Sequence, residues 1–169
     1  VASLSVARSN LLQFARRPLT VTFVDRDAQF FRAGNILKTE AFEQTFCQIF
    51  CQQFGRRLRE WLGIDESIFY DASRVAIVPM GFCYPGRGGG GDLPPRPECA
   101  PLWFDRVLAQ LPNIELTLLI GQYAQKYFLG NTRRATLTET VAAFADYAPR
   151  FMPLPHPSPR NTAWFQRHP

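Results

Sequence analysis

Three short apolar runs, separated by segments with helical spacing, constrain the fold of this chain most strongly. The runs are "RVAIVPM" (residues 74–80), "IELTLLI" (114–120) and "RFMPLP" (150–155), and each has the length of a buried strand. The segments around and between them are "FGRRLREWLG", "APLWFDRVLAQL", "GQYAQKYFLG" and "TLTETVAAFADY". Strands that alternate with helices indicate an α/β fold with a central parallel sheet. We expect a single domain over residues 1–169.

Local signals give the helix boundaries. Gly63 ends the first helix, and Gly121 and Gly130 bracket the third. Thr136 and Glu139 have the spacing of a capping box at the start of the fourth. In the second helix we predict that one apolar face contains Leu102, Trp103, Val107, Leu108 and Leu111. "LTVTFVD" (19–25) is a candidate for a further strand.

Composition narrows the class of protein. The chain has 169 residues, 46% of them apolar, a net charge of +5 and a pI of about 9.3. This charge favours a polyanionic partner. No apolar run approaches the roughly 18 residues of a membrane span, and the N-terminus lacks the pattern of a signal peptide. Four cysteines are too few for a disulfide scaffold of this length. We expect a cytoplasmic protein that does not enter a membrane.

Three stretches follow the carboxyl ends of the three runs, where parallel sheets bind ligands: "MGFCYPG", "GQYA" and "HPSPRN". His156 lies between two prolines that restrict its backbone, and its ring can donate a hydrogen bond to a developing oxyanion. Residues 157–161 open a predicted helix whose N–H groups can bind a phosphate, and Arg160 adds a cation. Phe82 and Tyr84 offer surfaces on which a base can stack. Together these groups suit a nucleotide flipped out of a duplex.

Each of these features also has a purely structural interpretation. A single histidine is often part of the scaffold, and "GQYA" can be no more than a tight turn. Phe82 and Tyr84 can belong to the core. "RRLRE" (56–60) reads as a solvated helix face, and the glycine-rich loop at 86–91 as a flexible connector, since no G-K-[ST] follows it.

"HPSPRN" resembles the second conserved motif of uracil-DNA glycosylases, closest to their single-strand-selective monofunctional branch. From about residue 55 to the end the chain is similar to a small bacterial group of that family, in which "LREWLGID", "VAIVPMGFCYPG", "GDLPPRPECAP" and "LTLLIGQYAQKYFLG" recur in this order. The resemblance implies a three-layer α/β/α fold and hydrolysis of the N-glycosidic bond of a flipped uracil, or a related damaged base, in DNA. We expect a monomer. It also implies that His156 stabilises the departing uracil anion through its O2. The candidate substrate- and DNA-binding residues are Phe82, Tyr84, Gly121, Gln122, Pro157, Ser158, Arg160 and Asn161.

The spacing of two cysteines is a second similarity to the family. The iron–sulfur branch of the family has two cysteines sixteen positions apart around a proline-rich loop, and Cys83 and Cys99 have this spacing. They are the candidate ligands of a [4Fe–4S] cluster. That branch takes its other two ligands from an N-terminal C-x-x-C pair, whereas this chain has Cys47 and Cys51. A protein without a cluster is an equally open interpretation.

Two departures from the family pattern affect the expected activity. The first family motif, a strand followed by G-Q/E-x-P-G, is missing, because "RDAQFFRAGN" follows the candidate strand at 19–25. Pro79 stands where the iron–sulfur branch has an asparagine that reads uracil. Residues 1–54 are atypical, either through divergence or through a shifted reading frame or misassigned start. Two functions therefore stay open, a uracil-type glycosylase and a relative that binds DNA or a nucleobase without cleaving it.

Overall fold

A four-stranded parallel sheet is the centre of the molecule. The computed structural model describes residues 19–23, 55–82, 85–89 and 91–168. Strands β1 and β2 are Leu19–Phe23 and Val75–Pro79, and β3 and β4 (Arg87–Gly88 and Gly91–Asp92) form a small antiparallel hairpin. Strands β5 and β6 are Leu116–Ile120 and Phe151–Leu154. The sheet order is β2-β1-β5-β6. The mixed α/β class and the parallel sheet predicted from the sequence are confirmed.

Six helices accompany the strands in the described ranges. They are α1 (Arg56–Leu62), α2 (Glu66–Phe69), α3 (Cys99–Ala109), α4 (Gly121–Leu129), α5 (Leu137–Ala142) and α6 (Thr162–Arg167). Short 3-10 turns occupy Gly130–Thr132, Phe144–Asp146 and Pro159–Asn161. None of the helices in these ranges combines the length and the apolar character that crossing a membrane requires.

The carboxyl ends of the strands lie level at one edge of the sheet. Phe23 pairs with both Pro79 and Ile120, and Ile120 pairs in turn with Leu154. From β1 the chain proceeds to β2 on one side, whereas β5 and β6 lie on the other side of β1. The winding direction therefore reverses between β1 and β5. In open parallel sheets a crevice forms at such a reversal, beyond the carboxyl ends of the strands.

The local sequence signals match the element ends. Gly63 caps α1 with a φ of 64°, a conformation that glycine adopts without steric cost. Thr136 and Glu139 form both hydrogen bonds of the predicted capping box at the start of α5. The candidate strand at 19–25 is present as β1, where it lies inside the sheet between β2 and β5.

Two apolar clusters form the core of the part of the chain that the structure describes. Alternate residues of a strand contribute to different clusters, as the period of two in a strand requires. In β5, Leu118 and Ile120 belong to the first cluster and Leu119 to the second. The first cluster also contains Leu58 and Leu62 of α1 and Phe69 of α2. The second contains its helical residues from α3 and α4, namely Ala100, Phe104, Ala124 and Leu129.

The predicted apolar face of α3 is wrong at its start. Leu102 and Trp103 are 63% and 45% exposed, whereas Ala100 and Phe104 are buried. The buried face follows the spacing of Ala100, Phe104 and Leu108, which are four residues apart. Leu102 and Trp103 are therefore rotated away from the sheet.

Candidate functional site

His156 lies at the carboxyl edge of the sheet, two residues after the last residue of β6. The prolines on both sides of it are buried, which fixes the path of the loop. The Asn161 side-chain Nδ2 donates a hydrogen bond of 2.8 Å to the His156 carbonyl. This hydrogen bond links the last residue of "HPSPRN" to the first, and together with the prolines it restricts the backbone that carries the imidazole.

The contacts of the His156 ring determine which nitrogen carries the proton. The backbone N–H of Ser158 donates to Nδ1 at 3.2 Å. A nitrogen that accepts a hydrogen bond carries no proton, so in the neutral ring the proton is on Nε2. In this tautomer the ring offers Nε2–H as a hydrogen-bond donor.

Gly121 directly follows β5, the strand that pairs with β6, and a side chain at this position would contact His156. Its φ of +79° lies in the left-handed region, which allows α4 to begin directly after β5. A Cβ at this position would lie 3.6 Å from the His156 Cβ. The structure thus brings "GQYA" and "HPSPRN" together, as predicted. Gln122, the next residue, is exposed at the same edge.

Arg57 supports the motif from α1 and was missed by the sequence analysis. Its Nη1 donates to the Pro157 carbonyl at 3.1 Å, and its guanidinium lies over the Phe165 ring, 4.9 Å from the centroid. The interpretation of "RRLRE" as a solvated face is correct for Arg56, whose side chain is 69% exposed, but wrong for the half-buried Arg57 and for Arg59, whose side chain is 13% exposed. The sequence signal that could have indicated this role is the position of Arg57 next to Leu58, at the border of the apolar face of α1.

The predicted helix after His156 begins as a 3-10 turn at Pro159. Its first N–H groups already have partners: the Arg160 N–H donates to Ser158 Oγ at 3.3 Å, and the Asn161 N–H donates to the Ser158 carbonyl at 2.9 Å. Pro159 has no N–H. A phosphate-binding role of this segment therefore depends mainly on the exposed side chain of Arg160.

The structure describes only one of the two aromatic residues that were predicted to stack on a base, Phe82. Phe82 is half-buried, and its ring lies 5.7 Å from that of Phe104 and 6.2 Å from that of Trp103, measured between centroids. These contacts fit the core interpretation at least in part. Tyr84 lies outside the described residues. Base stacking stays a prediction for both.

A groove of about 790 Å³ opens beside β2. Its lining combines Met80, several prolines of the loop at 93–97, and Tyr123, Lys126 and Tyr127 of α4. Burial, and to a lesser extent the charge of Asp105, raises the pKa of Tyr127. His156 is not among the residues that line this groove. Met80 and Pro85 belong to "MGFCYPG" and Tyr123 to "GQYA", two of the three stretches predicted at the ligand-binding edge, whereas the loop at 93–97 was not predicted to line a site.

The structure describes only one of the cysteines considered as ligands of an iron–sulfur cluster. Cys99 is a buried free thiol at the first position of α3, whereas Cys47, Cys51 and Cys83 lie outside the described residues. Within the described ranges no three His, Cys, Asp or Glu side chains are grouped so that they could hold a metal ion. The iron–sulfur cluster stays a prediction, and none of the chemistry considered below depends on it.

The chain also matches the model of a known family. The model of the uracil DNA glycosylase superfamily matches residues 23–169. The match covers most of the chain and begins at the last residue of β1, upstream of the motifs after Gly55 that first suggested the resemblance.

Proposed function

We propose that this chain, which belongs to the uracil DNA glycosylase superfamily, hydrolyses the N-glycosidic bond of uracil, or of a related damaged base, in DNA. The observation that carries this proposal is the geometry of His156, whose Nδ1 accepts a hydrogen bond so that Nε2 holds the proton. The protein would act as a monomer in base excision repair and leave an abasic site. We propose the three-layer α/β/α fold of the superfamily, which the helices of the two core clusters support.

The reaction needs a donor where charge appears. As the bond between the sugar C1′ and the base breaks, its electron pair departs with uracil and negative charge develops on O2. A fixed N–H aimed at that oxygen stabilises the transition state more than the ground state. Water then forms the new bond to C1′, and its proton is released. The Nε2–H of His156 supplies the donor in this scheme.

The surroundings of His156 suit such a donor because they restrict its movement. Asn161 holds the His156 carbonyl and Arg57 holds the Pro157 carbonyl, and a Cβ at position 121 would already contact the His156 side chain. A donor that is already in place costs no reorganisation during the reaction. The proposed role therefore depends on the loop as well as on the ring.

DNA is the partner that the family membership and the charge of +5 support. The exposed Arg160 follows His156 by four residues and can contact a backbone phosphate. The target base must leave the duplex to reach His156, and an unpaired base leaves at the lowest cost. Single-stranded and mismatched uracil are therefore the expected preferred substrates.

A second candidate function is a relative that binds DNA with little or no cleavage. β1 ends at the winding reversal of the sheet, and the sequence directly after it lacks G-Q/E-x-P-G, the motif that positions the water in the family. Pro79 ends β2, where its side chain has no group that could read the edge of uracil. These two observations favour slow cleavage or binding alone.

A gel assay separates the two candidates. A labelled oligonucleotide with one uracil, single-stranded or mismatched, is incubated with the protein, and abasic sites are cleaved with alkali. We expect slow release of uracil and no cleavage of the thymine control. Tight binding without release would support the second candidate. Neither binding nor release would contradict both.

A further inference from the structure

The buried side-chain amide of Gln125 is hydrogen-bonded to the ends of β5 and β6, the two strands that lead into the site. Gln125 of α4 has an exposed fraction of 0%, and its Nε2 donates to the Leu119 carbonyl at 3.3 Å and to the Leu154 carbonyl at 3.0 Å. Leu119 precedes Gly121 by two residues, and Leu154 precedes His156 by two residues. One side chain thus connects β5 and β6 immediately before each delivers its part of the site.

This arrangement is unusual for a helix that packs on a sheet. The neighbouring buried positions of α4, Ala124 and Leu129, are apolar. Burying an amide is unfavourable unless its polar atoms are paired. Nε2 uses both of its protons, but Oε1 has no hydrogen-bond partner among the described residues. An apolar residue would avoid burying this unpaired oxygen, but it would not connect the two carbonyls.

We propose that Gln125 is a positioning residue for His156. By holding the Leu154 carbonyl against that of Leu119, it sets the distance between the end of β6 and the start of α4. Arg57 and Asn161 hold the carbonyls of Pro157 and His156 in the loop that follows β6. The effect of Gln125 on catalysis rests on the proposed function, whereas its effect on the geometry of His156 does not.

The kinetic test uses Gln125→Met, which keeps the length of the side chain and its packing but removes both donors. A misplacement of about 1 Å can cost up to about a hundredfold in rate. We expect the single-turnover rate of uracil release to fall by roughly 10- to 100-fold, while DNA affinity changes by less than about twofold. The matched control is Leu129→Ala, a cavity in the same helix, for which we expect a lower melting temperature but an almost unchanged rate.

A double-mutant cycle separates positioning from general destabilisation. If Gln125 acts through His156, Gln125→Met causes no further loss of rate in a His156→Ala background. A loss that persists in this background would overturn the proposal.

An NMR measurement decides the same question without activity. The chain has two histidines, His156 and His168, so their ring nitrogens are resolved in a sample labelled with ¹⁵N-histidine. We expect Gln125→Met to change the ring shifts of His156 and to leave those of His168 unchanged, and Leu129→Ala to leave both unchanged. Gln125→Asn, which keeps the amide but is one methylene shorter, is measured instead if Gln125→Met does not fold. Unchanged His156 shifts would overturn the inference, whereas a wild-type protein that releases no uracil would contradict only the proposed function.

Discussion

At the scale of single residues, the hydrogen bond from the Ser158 N–H to Nδ1 of His156 has the largest chemical consequence. It comes from the backbone, so it depends on the fold of the loop rather than on the identity of a second side chain. The sequence could indicate a histidine held between prolines after a strand. It could not indicate the protonated nitrogen, because that follows from the conformation of residues 156–158.

Arg160 carries a second prediction at this scale. It is exposed, and the backbone around it is already hydrogen-bonded, so its side chain is the group available for a phosphate. Arg160→Ala should weaken binding to all DNA sequences alike and reduce the salt slope of binding by about one. Titration of single-stranded DNA at several salt concentrations measures this slope. Arg56→Ala, which removes an exposed arginine of α1, is the control. An unchanged slope for Arg160→Ala would exclude the phosphate contact.

At the scale of elements, the turn from β5 into α4 determines how closely the two parts of the site approach. Gly121→Ala places a Cβ at a φ of +79° and against His156, so we expect both lower stability, by about 1–2 kcal/mol, and slower uracil release. Gly130→Ala is the matched control, because Gly130 has a φ of +50° and no neighbour within 4 Å of the added Cβ. Thermal unfolding and single-turnover rates of both variants test this. Equal rates for the two variants would contradict the importance of the contact.

Features of helices and strands that depend on neighbouring residues could be predicted from the sequence, whereas those that depend on distant residues could not. The capping box at Thr136 and the glycine at Gly63 act within one turn of chain, so their residues alone are enough to predict them. The buried face of α3 depends on the direction in which the helix meets the sheet, and Leu102 was misplaced for that reason. Arg57 and Gln125 act on carbonyls 100 and 29 residues away in sequence, which no local pattern indicates.

At the scale of the whole molecule, the iron–sulfur prediction concerns two pairs of cysteines, Cys83 with Cys99 and Cys47 with Cys51, and the second pair is closer to Cys83 in sequence than the N-terminal pair of the iron–sulfur branch. Thiolates are the ligands that such clusters require. If a cluster is present, protein purified without oxygen should contain iron and absorb visible light, and both should be lost in Cys83→Ser and in Cys99→Ser. Cys47→Ser and Cys51→Ser test whether the remaining ligands come from that pair. A folded, colourless and iron-free wild-type protein would remove the cluster from the account.

Uracil release by His156→Ala is the most direct test of the central claim, that the His156 Nε2–H stabilises the departing base. The loss of one such donor typically lowers the rate by about a hundredfold or more. We therefore predict that His156→Ala reduces the single-turnover rate on single-stranded uracil DNA at least about a hundredfold and leaves DNA affinity nearly unchanged. His168→Ala, which removes a histidine that packs on Trp164 in the C-terminal segment, should keep the wild-type rate. Uracil release that persists in His156→Ala at the wild-type rate would contradict the account.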